Sequence, residues 1–76
     1  MKETNIMLRD VMAVRDFVQQ VIMTDFEVDL VQGRYIVDAK SIMGIFALDT
    51  LSPIKLVAHT DNAEDFFARI EKYIVE

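Results

Sequence analysis

The chain has 76 residues, a net charge of −5 from 13 acidic and 8 basic side chains, 53% hydrophobic residues and no cysteine. That length holds one domain over residues 1–76, expected to be marginally stable alone, and the missing cysteines exclude a disulfide framework and thiolate chemistry. The basic residues stand singly from Lys2 to Lys72 and no apolar run nears the roughly 20 residues that span a bilayer, so neither nucleic-acid binding nor membrane insertion is expected.

In chain order, Thr4 to Leu8 is a short apolar-leaning run that suits a first strand. Asp10 to Met23 predicts a helix. Val11, Val14, Val18, Val21 and Ile22 recur at steps of three and four with Phe17 on the same face, and Arg15, Asp16, Gln19 and Gln20 fill the other side. Asp10 suits the N-cap, where its carboxylate accepts from an otherwise unpaired backbone N–H. Phe26 to Leu30 alternates apolar and acidic, the mark of a half-buried strand. Gln32-Gly33 predicts a hairpin turn, and Tyr35 to Val37 returns as the second arm.

Ser41 to Leu48 predicts a short helix and Asp49 to Pro53 a loop. Pro53 opens a strand over Ile54 to His59, a place where no ladder donor is lost. Asp61 to Glu64 has the form of a capping box, with Asp61 as N-cap. The last helix carries Ala63, Phe66, Phe67, Ile70, Tyr73 and Ile74 on one stripe. The order is βαββαβα. Three helices with one apolar face each cover one side of a four-stranded antiparallel sheet, an open-faced α+β two-layer sandwich with right-handed crossovers.

The segment Lys40-Ser41-Ile42-Met43-Gly44, followed by apolar Ile45 and Phe46, resembles the serine-site signature of HPr, the small histidine-containing phosphocarrier of the bacterial sugar phosphotransferase system. Phe17-Val18 falls where that family has an aromatic or aliphatic pair one turn into its first helix. The resemblance implies the same fold. With no gap up to Ser41, it lays the family's His-x-Arg-Pro site on Asp10-Val11-Met12-Ala13, so that Asp10 stands in the place of the active histidine. Phosphoryl relay needs an imidazole nitrogen as nucleophile and a cation to hold the phosphoryl oxygens. The resemblance therefore implies a protein without a catalytic residue, not competent for histidine phosphotransfer. Acyl-phosphate formation on Asp10 has no metal site to support it, and helix capping is its ordinary role.

The resemblance makes Ser41 the regulatory serine, phosphorylated by an HPr kinase and then read by a transcriptional regulator. Ile42, Met43 and Phe46 are the matching apolar docking residues, and the same patch is able to drive weak self-association. The plainer role of Ser41 is a helix cap. A catabolite-repression HPr-like regulator that lacks the histidine and keeps the serine follows the same logic. This chain departs from it in having Met12 in place of a basic partner-contacting residue.

His59 is the only histidine and has no Cys or His companion, so no metal site or cofactor is expected. Glu27 and Asp29 are expected to line a solvated strand face, and Met7, Met12, Met23 and Met43 to fill core gaps by default or else to make an adaptable binding surface. No secretory signal is evident behind Met1 to Asn5, and a cytoplasmic location is expected. Three readings remain: a non-enzymatic HPr-like regulatory or interaction protein switched at Ser41, a divergent phosphocarrier using Asp10 or His59 as acceptor, and a structural module that has lost phosphate chemistry.

Overall fold

The computed structural model describes residues 1–75. The elements are β1 (Lys2–Ile6), α1 (Val11–Ile22), β2 (Val28–Gln32), β3 (Tyr35–Asp38), α2 (Ile42–Phe46), β4 (Ile54–Ala58), α3 (Glu64–Arg69), a 3₁₀ turn (Glu71–Tyr73) and β5 (Ile74–Val75). All sheet pairings are antiparallel and the strand order is β3-β2-β4-β1-β5. The central strand β4 pairs with β1 from Lys2↔Ala58 to Ile6↔Ile54, and with β2 from Val28↔Ala58 to Val31↔Lys55.

Side chains alternate across a strand. Ile54, Leu56 and Ala58 of β4, Val28 and Leu30 of β2 and Ile6 of β1 are fully buried on the helix side. Val14, Phe17, Val18 and Val21 of α1, Ile45 of α2 and Phe66 of α3 meet them in a single core, with Ile70 behind α3. Leu8 and Ala39, in the connections, are fully buried as well, and no polar or charged residue is buried among the described residues. The other face carries Glu3, Lys55, Asp29 and His59, which form the ion pairs Lys55–Glu3 at 3.2 Å and His59–Asp29 at 2.8 Å.

The sheet has five strands where four were expected, because the C-terminal apolar stripe is not one helix. α3 ends at Arg69, and a single 3₁₀ turn redirects the chain into β5. The cause is the outer edge of β1. Its backbone groups need partners, and they find them in Val75 opposite Asn5, Ile74 opposite Ile6, and the Met7 N–H donating to Tyr73 O at 2.9 Å. Tyr73, Ile74 and Val75 are residue types that suit a strand. The Tyr73 ring packs edge-on to Phe17, and its hydroxyl donates to Asp16 of α1, beside which Lys72 Nζ lies at 3.4 Å. The Tyr73 bond and Lys72 together hold the Asp16 carboxyl below its ordinary value. Burial and the bond to Asp16 push the Tyr73 hydroxyl up to about 12.

Several boundaries also shift. β1 starts earlier than Thr4, and β2 runs Val28–Gln32, not from Phe26, so Glu27 lies outside the strand and only Asp29 is on it. The hairpin loop is Gly33-Arg34, with Gly33 at φ +60. A positive φ at the first loop residue alone is the type II′ pattern. Asp61 does not cap α3. The N-cap position is Ala63, without a side-chain bond, and the Glu64 N–H donates instead to Asn62 Oδ1 at 3.1 Å. The α1 stripe is narrower than its periodicity predicts, since Val11 and Ile22 are more than half exposed.

Candidate functional site

Asp10 has extended backbone (φ −152, ψ 173), and its Oδ1 accepts from Ala13 N at 2.8 Å. This is the N-cap expected from the sequence. It uses the carboxylate to close the first turn of α1, and no Lys or Arg forms an ion pair with it among the described residues.

Ser41 caps α2 in the same way. Its Oγ accepts from Gly44 N at 3.0 Å, and its backbone carbonyl accepts from Ile45 N at 3.0 Å. The approach to Ser41 is set by the Asp38 turn, where Ser41 N donates to Asp38 O at 2.9 Å and Lys40 N to Asp38 Oδ1 at 2.8 Å. Gly44 is part of this geometry. A Cβ there would lie 3.1 Å from Ser41 Oγ and 3.2 Å from Val37 Cβ, so the glycine is what lets α2 sit down on β3. The sequence signal was the glycine itself, an unfavourable residue inside a helix unless packing requires it.

α2 has only five residues. Its dipole is correspondingly small, and the charged side chains nearest Ser41 in the chain are Asp38 and Lys40, both exposed. Around the half-buried serine, Ile42 is 39% exposed, Met43 82% and Phe46 46%, while Ile45 between them is fully buried. Ile42 and Phe46 are one turn apart and share a face. α1 packs against α2 and exposes Val11 and Met12 at its own start and Met23 at its end, so the core roles expected for Val11, Met12, Met23 and Met43 are corrected. Leu51, 77% exposed, extends the apolar surface past α2. The loop that carries it is tied down by Gln32, whose Oε1 accepts from Asp49 N at 2.7 Å and whose Nε2 donates to Asp49 O at 2.8 Å. Nothing in the local sequence around Gln32 signals that contact, which spans two separate strand connections.

The lone histidine is elsewhere. β4 runs from Ile54, opposite Ile6 at the end of β1 that feeds α1, to Ala58, and His59 follows Ala58. A strand of this length spans about 17 Å, so His59 lies at the other end of the sheet from the start of α1. Its Nε2 is 2.8 Å from Asp29 Oδ2, and its backbone N donates to Glu27 O at 2.9 Å. No group of His, Cys, Asp or Glu among the described residues is arranged to hold a metal ion. An open cavity of about 750 Å³ between the end of α1 and α3 contains none of Asp10, Ser41 and His59, and its walls include Asp25, Asp65 and Arg69. No helix among the described residues is long and apolar enough to cross a membrane.

No protein-family model matches the sequence, and no curated protein matches it. Solved structures do. HPr of Thermoanaerobacter tengcongensis superposes with a TM-score of 0.77 at 25% identity, over 95% of this chain and 89% of that one. The phosphocarrier protein HPr of Bacillus anthracis gives 0.72 at 25% identity, over 97% of this chain and 94% of that one. Crh, the catabolite repression protein of Bacillus subtilis, described as a swapped dimer, gives 0.62 at 25% identity over 99% of this chain and 90% of that one. Three helices on an open antiparallel sheet, matched over nearly the whole length of these proteins, give this chain the HPr-like fold.

Proposed function

We propose that this protein is a non-enzymatic HPr-like regulatory or interaction protein. It receives protein partners on the exposed apolar face of α2, is controlled by phosphorylation of Ser41, and does not relay phosphate through histidine. The observation that carries this reading is the contrast between two helix starts. At α1 the residue that the resemblance lays on the family's histidine is Asp10, whose carboxylate accepts from the Ala13 N–H at 2.8 Å. At α2 the residue that the resemblance lays on the regulatory serine is Ser41, half-buried beside exposed Ile42, Met43 and Phe46. A surface of that kind suits a protein partner. The candidate partners are an HPr kinase and a transcriptional regulator that reads the modified serine.

Modification would transfer the γ-phosphoryl group of ATP to Ser41 Oγ. The new Oγ–P bond replaces the bond to the β-phosphate oxygen, ADP leaves, and the hydroxyl proton passes to the kinase. Gly44 N–H already donates to that Oγ, and Lys40 supplies a neighbouring positive charge.

Two labelling reactions test the proposal. With HPr kinase and radiolabelled ATP, the wild-type chain takes up label and Ser41→Ala does not. With labelled phosphoenolpyruvate and the general phosphotransferase enzyme, neither does. Acid-labile label from the second reaction, lost in His59→Ala or Asp10→Asn, would establish a divergent phosphocarrier instead. Failure of both reactions would leave a purely structural module.

A further inference from the structure

β3 closes the sheet on one side and is paired only with β2 among the described residues. Successive residues of a strand turn their backbone groups to opposite sides. The Ala39 N–H donates to Val28 O at 2.9 Å, and Val37 lies opposite Leu30 and Tyr35 opposite Gln32, so Tyr35, Val37 and Ala39 face β2. The N–H and C=O of Ile36 and the N–H of Asp38 therefore face outwards, while the Asp38 C=O turns to Ser41 N. This edge has no proline and no bulge, it is short, and its charges, Arg34 and Asp38, stand only at its ends. Its centre is instead Tyr35-Ile36-Val37, with Tyr35 60% and Ile36 69% exposed.

We propose that β3 pairs antiparallel with β3 of a second copy of this chain, about a two-fold axis at Ile36, so that one sheet runs through both protomers. A two-fold antiparallel pairing centres either on a residue whose backbone groups face outwards or on one whose groups face β2. Centring on Tyr35 or Val37, which face β2, sets apolar Ile36 against the charged Arg34 or Asp38 of the other copy. Centring on Asp38 sets two carboxylates opposite each other, and centring on Arg34 sets two guanidinium groups opposite each other. Centring on Ile36 places Ile36 against Ile36, Tyr35 against Val37, and Arg34 of each copy against Asp38 of the other. Arg34 is exposed and in no ion pair among the described residues. This register alone is complementary in charge at both ends and apolar in the middle. Facing residues share parity, so both helix layers lie on the same side of the joined sheet.

The contact is small. A four-residue strand buries much less than the roughly 1,600 Å² of a standard interface, so the dimer is weak and forms at high protein concentration. Each chain keeps all its own strands, so assembly needs no exchange of segments.

Sedimentation equilibrium of the full chain over a concentration series tests this, with circular dichroism to check that each variant is folded. Wild type dimerises. Arg34→Asp and Asp38→Arg alone each put like charges at both ends of the pairing and weaken association by about tenfold or more. An equimolar mixture of the two regains wild-type affinity, because each end of the heterodimer again joins opposite charges. Ile36→Lys, which does not touch the Asp38 turn, abolishes the dimer and serves if Asp38→Arg fails to fold. A wild type that stays monomeric throughout would overturn the proposal. So would a dimer indifferent to Arg34→Asp and Ile36→Lys, or one lost only on Met43→Asp, which would place self-association on α2.

Discussion

Tyr73→Phe tests how the C-terminal strand is held. The substitution keeps the ring that packs edge-on to Phe17 and removes only the hydroxyl that donates to Asp16. A hydrogen bond to a charged acceptor contributes about 1.5–3 kcal/mol in a protected setting. Asp16 keeps 39% of its side-chain surface exposed, so solvent screening reduces this to about 1 kcal/mol. For a domain of this size that is a fall in Tm of about 4–8 °C at neutral pH. The effect has a sign in pH. The Asp16 carboxyl is held below its ordinary value by Tyr73 first and Lys72 second. Its contribution is therefore full above the unfolded carboxyl pKa and is lost as pH falls through the lowered folded value. Tyr73 is raised to about 12 by burial and by Asp16, so its contribution is full below the unfolded phenol pKa near 10 and fades as pH rises through the folded one. Thermal melts of wild type and Tyr73→Phe from acid to neutral pH read this directly. The gap between the two is widest at neutral pH and closes toward acid as Asp16 is protonated. A gap that is absent at neutral pH, or that does not narrow in acid, would refute the claim that this bond anchors β5.

Asp10→Ala removes the N-cap of α1 and lowers stability by about 1 kcal/mol in chemical denaturation, while Asp10→Asn, which caps as well, stays close to wild type. Gly33→Val forces a β-branched residue to φ +60 and destabilises the hairpin by about 1–2 kcal/mol, read from the denaturation midpoint. Gly44→Ala gains up to about 1 kcal/mol of helix propensity, yet its Cβ meets Ser41 Oγ at 3.1 Å and Val37 Cβ at 3.2 Å. The expected net result is a loss of stability, with faster hydrogen exchange at the Gly44 amide as the Ser41 cap loosens. Phe66→Ala empties a fully enclosed ring site against Phe26 and costs about 3–5 kcal/mol, enough to populate the unfolded chain at ambient temperature.

What could be read from the sequence was what local chemistry decides. Asp10 and Ser41 are cap residues by type, and both cap the helices that follow them. Gly33 stands at the hairpin turn because only glycine takes its φ without strain, and Pro53 stands just before β4. The C-terminus departs from its helical spacing for a nonlocal reason. Phe66, Ile70 and Tyr73 keep helical spacing to the end, but Ile74 and Val75 are claimed by hydrogen-bonding groups on β1, at the opposite end of the sequence. Burial on the amphipathic elements was also nonlocal. Val11 belongs to the α1 stripe by spacing, yet it lies in the first turn, beyond the reach of the sheet, and is 57% exposed. Gly44 and Gln32 are contacts across the fold that no window of sequence contains.

That distinction bears on function. The same nonlocal packing that buries Ile45 forces Ile42, Met43 and Phe46 outward, because five residues of helix cannot turn all their apolar side chains to one side. A helix so short gains little from its own hydrogen bonds and depends on β3 beneath it and on the Gln32–Asp49 tie at its far end. Weakening that support should move the apolar face without touching it. Gln32→Ala removes both bonds to Asp49 and leaves the Ser41 cap in place. If α2 is a partner-docking surface held in shape by its supports, Gln32→Ala slows kinase labelling of Ser41 several-fold while circular dichroism still reports a folded domain. Unchanged labelling would mean that the kinase reads the serine and its immediate neighbours as a flexible segment, and that the shape of the patch plays no part in recognition.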